Sequence, residues 1–165
     1  MTALFAELGA LVHLLDSGRV PAPHGLHLNF LASDAAWVRA IAADPDTATQ
    51  VGLDPHVIVA PGRLFNGTEY TEVRLSWTSD SDNPDRERMV AAVRALADLL
   101  RAGAMPVPLR LDAMHALTEV GLPAQRSVDQ AATVLGERPV RLQGSVFVVS
   151  RLGRTVSYTV HGFEW

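Results

Sequence analysis

The stretch ALVHLLDSGRVPAP, residues 10–23, returns eighty-five positions later as ALADLLRAGAMPVP, residues 95–108, with seven of the fourteen positions identical. The repetition goes deeper than the words. Leu4, Leu8, Leu11 and Leu15 recur at helical spacing, and the same offset lands on Met89, Val93, Leu96 and Leu100, all apolar. Each stretch therefore predicts a helix with one buried stripe. Gly18 and Gly103 stand where such helices end in a left-handed residue, which glycine adopts without a Cβ clash. Pro21 and Pro23, then Pro106 and Pro108, stop the helix from resuming and hold the chain extended.

The segments after the two proline pairs also correspond. Residues 25–32, GLHLNFLA, and 108–114, PLRLDAM, alternate as strands do. Second helices are expected from Ser33 onward and from Ser127 onward, where Ser127 and Gln130 have the spacing of a capping box. Each half then closes in a hairpin. The first turns at Asn66-Gly67 and the second near Gly153. Tyr70 and Tyr158 match at an offset of 88, as do Trp77 and Trp165. Asn83, Pro84 and Asp85 supply a cap, a first helical residue and a first-turn acid for the second copy. The expected fold is α+β: two tandem α-β-α-β-β repeats with antiparallel hairpins, packed as a pseudo-two-fold unit. Repeat one spans 1–77, a polar linker 78–84 and repeat two 85–165. The copies disagree in two places. Residues 42–55 lengthen the first and residues 115–126 the second, and loops that differ between copies are where distinct roles accumulate.

Composition narrows the functional classes. Hydrophobic residues make up 48% and charged residues 19% of 165, so the chain is globular. There is no cysteine, which excludes disulfides, thiolate metal sites and cysteine nucleophiles. The opening segment carries Glu7 and no basic region, so it does not read as a signal peptide, and the expected location is the cytoplasm. No apolar run is long enough to span a membrane. All fourteen basic residues are arginine, and the net charge of −4 argues against a broad nucleic-acid surface. The charge is uneven: residues 1–84 hold four Arg against ten acids, net −6, and residues 85–165 hold ten against eight, net +2.

ALVHLLDSGRVPAP with LHLNF, and ALADLLRAGAMPVP with LRLDA, resemble small proteins widespread in actinobacteria and their phages. Those chains share a Leu-rich opening helix, a proline entry, a strand, a helix and a closing two-stranded segment. The resemblance implies an accessory role in a phage or mobile element and transfers no chemistry. A weaker likeness, carried by LHLNFLASDAAWVRA, is to the vicinal-oxygen-chelate group of glyoxalases and antibiotic-binding resistance proteins. Those pair small α+β modules and hold metals on strand His and Glu residues. The matching positions here are His27, Glu72, His115 and Glu164. The modules of that group open with a strand rather than a helix.

No nucleophile elbow, dinucleotide fingerprint or phosphate-cradling loop occurs. His24 and His27, three apart on a strand, point to opposite faces, which is poor for joint chelation. Trp77 and Trp165 either pack their hairpins or anchor a partner, since tryptophan is enriched in binding hot spots. Arg138, Arg141, Arg151 and Arg154 flank the second hairpin and are the weaker, nucleic-acid candidates. The expectation is a non-catalytic binding protein, monomer or homodimer, acting on another macromolecule, a protein before a nucleic acid. It has no cofactor, catalytic residue, metal ligand or membrane contact assigned. The alternative is a small-molecule-binding protein or metalloenzyme with a cleft between the copies, lined by His27, Glu72, His115 and Glu164.

Overall fold

A computed structural model describes residues 2–63, 66–79 and 83–165, with the side chains of Gly62, Arg63, Glu69 and Tyr70 outside that description. Linker residues 80–82 and the expected match of Tyr70 to Tyr158 fall partly or wholly beyond it. The order in the first half is α1 (Thr2–Asp16), β1 (Gly25–Phe30), a 3-10 turn, α2 (Ala35–Ala43), α3 (Pro45–Val51), β2 (Asp54–Arg63) and β3 (Glu69–Thr78). The second half runs α4 (Arg86–Arg101), β4 (Arg110–Val120), α5 (Leu122–Leu135), β5 (Val140–Leu142), β6 (Ser145–Arg151) and β7 (Val156–Phe163). The class is α+β. Among the described residues no helix is long and apolar enough to cross a membrane.

The repeated stripe is buried in both places. Leu4, Leu8, Leu11 and Leu15 on α1, and Met89, Val93, Leu96 and Leu100 on α4, join one core, and the two helices pack on each other. Gly18 and Gly103 are left-handed, at φ 68° and 65°. At the end of α4 the N–H of Ala104 bonds the Leu99 carbonyl (2.9 Å) and that of Gly103 bonds Leu100 (3.1 Å), which satisfies carbonyls the helix leaves open. The start of α4 lies two residues later than the Asn83 cap predicts. Asp85 is the cap, accepting from the N–H groups of Glu87 (2.9 Å) and Arg88 (3.4 Å). Asp85→Ala is expected to cost about 1 kcal/mol in a urea melt, with Asp85→Asn nearly neutral, because the cap needs a short side-chain acceptor.

Among the described residues seven strands form one sheet in the order β2-β3-β1-β4-β7-β6-β5. The halves meet edge to edge at the antiparallel β1–β4 ladder, where Leu26 faces Ala113, His27 faces Asp112 and Leu28 faces Leu111. Adding the offset of eighty-five to Leu26, His27 and Leu28 gives Leu111, Asp112 and Ala113. The offset that relates the two sequence stretches thus exchanges the two strands of this ladder, with His27–Asp112 at its centre.

Beyond that unit the halves part. β3 runs antiparallel to β1, whereas β7 runs parallel to β4. The second half closes with three strands instead of the expected two. The cause is a turn at Gln143-Gly144, both at positive φ (48° and 83°), which folds β5 back on β6. Residues 42–55 are not a loop: Asp44 caps α3, Pro45 opens it, and Gly52 ends it left-handed. Residues 115–126 extend β4 and begin α5. Ser127 lies inside α5, its hydroxyl donating to Glu119 (3.0 Å), while Pro123 occupies the first turn, four residues ahead of the expected cap.

Among the described residues every α-helix sends side chains into a single apolar cluster with Leu26, Leu28, Phe30, Val73, Leu75, Trp77, Leu111, Val148 and Val160. These are alternate strand positions, so all helices cover one face of the sheet. The other face is left to His27, Asn29, Glu72, Arg74, Asp112, Ser157, Thr159 and Arg151, and among the described residues no helix lies over it.

Candidate functional site

At the β1–β4 junction the uncovered face holds a cavity of about 520 Å³, lined by His27, Asn29, Asp112, Arg74, Arg110, Arg151 and Arg154 among others. The helix-side space between the halves is filled by core, so the hollow lies on the opposite side from a packed inter-helix cleft. Its central row is His27, Asp112 and Ser157, register partners on β1, β4 and β7. Oδ1 of Asp112 accepts hydrogen bonds from Ser157 (2.7 Å) and Thr159 (2.8 Å). Nδ1 of His27 lies 2.8 Å from Oγ of Ser76. Burial holds the His27 imidazole below its ordinary pKa, Asp112 opposes this, and Arg74 adds to it. Ser76 is buried and does not line the cavity, so this pairing orients the ring and presents no nucleophile.

The four arginines differ in their freedom. Arg74 is engaged, with Nε donating to Asn29 (3.3 Å) and an ion pair to Glu72 (3.8 Å), while Asn29 in turn donates to Glu72. Arg110, Arg151 and Arg154 are exposed, and among the described residues none of their guanidinium groups has a carboxylate partner. Arg151 and Arg154 sit on the β6–β7 turn, which Glu7 of α1 clamps. That carboxylate is buried and accepts from the N–H groups of Arg154 (3.2 Å), Thr155 (2.9 Å) and Val156 (2.8 Å). A Cβ at Gly153 would overlap the Glu7 side chain, so any other residue there must push that carboxylate out of place. The main-chain N–H of Leu111 donates to Thr155 (2.9 Å), which brings Arg110 beside the same turn. Sequence reasoning named Arg151 and Arg154 and missed Arg74, Arg110 and Glu7.

The expected cleft set does not converge. His27 and Glu72 share the open face. His115 points elsewhere: its Nδ1–H donates to the Ala22 carbonyl (2.8 Å) and its ring lies 4.6 Å from that of His24. Glu164 is at the far end of the sheet, paired with Arg141 (3.6 Å). Among the described residues no three His, Asp or Glu side chains gather as metal ligands. Trp77 is fully buried beneath the helices and cannot anchor a partner. Trp165 is 80% exposed, with its ring over Gly144. Arg138 lies exposed in the loop after α5, outside the cavity. Farther along β6, away from the cavity arginines, the open face carries Phe147 between Val140 and His161, and Ser145 flanked by Leu142 and Phe163.

His115 is also held below its ordinary value, first by burial and then by His24, against the Ala22 carbonyl and Glu119. The unfolded chain therefore binds these two protons before the folded chain does. Stability is full above the unfolded value of 6.5 and falls as pH drops through the lower folded values. Urea midpoints are expected to decrease from about pH 7.5 to about pH 5.5, and a His27→Gln/His115→Gln variant flattens the decrease. No family model matches the chain, and neither a curated protein nor a solved structure does.

Proposed function

We propose that this chain is a non-catalytic binding protein whose partner is another macromolecule, a protein, docked on the uncovered sheet face through an acidic segment. The observation that carries this reading is the set of three arginines, Arg110, Arg151 and Arg154, around one cavity without a carboxylate partner among the described residues. Arginine is among the residue types that interface cores favour, and exposed Phe163 and Leu142 lie on the same sheet face at the other end of β6. Charge complementarity selects the occupant: unneutralised guanidinium groups attract carboxylates and repel basic segments. We read α1–β1 and α4–β4 as copies of one unit whose joining created this face, a reading supported by the register at His27–Asp112. A cytoplasmic accessory role in a phage or mobile element fits it. A second reading, a small anionic molecule in the cavity, is favoured by its volume, which falls in the range of ligand pockets.

Selection from a displayed random-peptide library tests the first reading. Enriched peptides are expected to combine Asp or Glu with an aromatic or aliphatic residue, and an Arg110→Glu/Arg151→Glu/Arg154→Glu variant should lose them. Enrichment of basic peptides, or binding indifferent to the charge reversal, contradicts it.

A further inference from the structure

We propose that the cavity takes a phosphate monoester on a side chain of the protein partner, with Arg110, Arg151 and Arg154 as its ligands. The inference rests on the proposed acidic-partner function and narrows it from an acidic group to a dianion. Among the cavity's charged groups, Arg74 is already paired with Glu72, and burial holds the His27 imidazole below its ordinary pKa, against the charged form. Asp112 contributes one negative charge, and its Oδ1 is occupied by two hydroxyl donors. Three free guanidinium groups against one carboxylate leave two positive charges in excess. A carboxylate ligand would neutralise half of that. A phosphate monoester carries roughly −1.5 to −2 and three acceptor oxygens, enough to receive a guanidinium on each.

The charged donors are also of one kind. The hydroxyls of Ser157 and Thr159 are spent on Asp112, and the N–H groups of Arg154, Thr155 and Val156 are spent on Glu7. The charged donors left are arginine side chains, whose planar forks match phosphate oxygens, with the Thr155 hydroxyl and an Asn29 N–H as neutral donors in the same cavity. The Glu7 clamp fixes the turn that carries two of them, so part of the site is ordered before the ligand arrives.

Binding of the full chain to two degenerate peptide pools, identical except for a central phosphoserine or glutamate, decides the matter. The phosphoserine pool is expected to bind about tenfold tighter or better, since one added charge-assisted contact is worth at least that. Inorganic phosphate should compete, Arg110→Ala and Arg154→Ala should each abolish the preference, and Arg138→Ala should leave it intact. Equal binding of the two pools overturns the dianion and leaves the acidic-partner reading standing. Free O-phosphoserine binding as tightly as the pool overturns the protein source in favour of a small molecule. Tighter binding of oligothymidylate overturns it in favour of nucleic acid. Failure of both pools removes this inference and the reading beneath it together.

Discussion

Trp77→Ala is expected to destabilise the chain by about 3–5 kcal/mol, the range for truncating a large buried aromatic. Trp77 is fully buried on the helix side of β3, between Leu26 of β1 and Pro55 of β2 in register. Removing the indole leaves a cavity in the apolar cluster where β1, β2 and β3 run side by side. A domain of this kind has about 5–15 kcal/mol in total, so the variant sits near the edge of folding. The indole N–H has no acceptor among the described residues, so Trp77→Phe loses no hydrogen bond and should cost only about 1–2 kcal/mol. Trp165→Ala, at the equivalent place in the sequence, should change stability by less than about 0.5 kcal/mol. Thermal melts of the three variants check the contrast. Equal losses at Trp77 and Trp165 would contradict this difference in packing.

The second large effect is at Glu7. Glu7→Ala leaves three N–H groups of the β6–β7 turn without their acceptor, one of them fully buried at Val156. The cost is expected to be about 3 kcal/mol, the scale for buried hydrogen bonds to a charged group. For a chain of this size that is a melting shift of roughly 6–12 °C. Glu7→Gln keeps one carbonyl oxygen as acceptor and should lose about half as much. The same variants should weaken ligand binding beyond their effect on stability, because Arg151 and Arg154 ride on that turn. Binding measured well below the melting temperature separates the two effects. Unchanged affinity in folded Glu7→Ala would show that the turn needs no clamp.

How much of the fold is legible in the sequence depends on how far apart the interacting residues lie. The opening helices and their glycine stops are local patterns, and each formed where its residues demand, whereas β2 and β3 pair with Arg63 opposite Glu69, one residue off the register that a two-residue Asn66-Gly67 turn predicts. The α3 signals were local too: Asp44, Pro45 and Gly52 form a cap, an opening and a stop. Their segment stood out as an insertion between copies, which obscured a short helix. The β5–β6 turn uses Gln143 at positive φ, a residue type that gives no turn signal. The site was only half visible. Arg151 and Arg154 are close in sequence, but Arg110 joins them through the parallel β4–β7 pairing, and Glu7 reaches its turn from the other end of the chain. Trp77 and Trp165 matched in spacing yet not in surroundings, because Trp77 lies within β3 and Trp165 lies two residues beyond the end of β7. Spacing identifies corresponding positions only while strand order is shared.

The central claim is that Arg110, Arg151 and Arg154 act together as one anion-binding site on the uncovered sheet face. Titrating the labelled protein with the glutamate and phosphoserine peptide pools, while following the Nε–Hε signals of all fourteen arginines by NMR, addresses it most directly. The account predicts shifts at Arg110, Arg151 and Arg154, smaller ones at Arg74, and none at Arg86, whose guanidinium is bonded to the Leu15 and Val20 carbonyls. Shifts at Arg138 and Arg141 with the cavity arginines silent would contradict it.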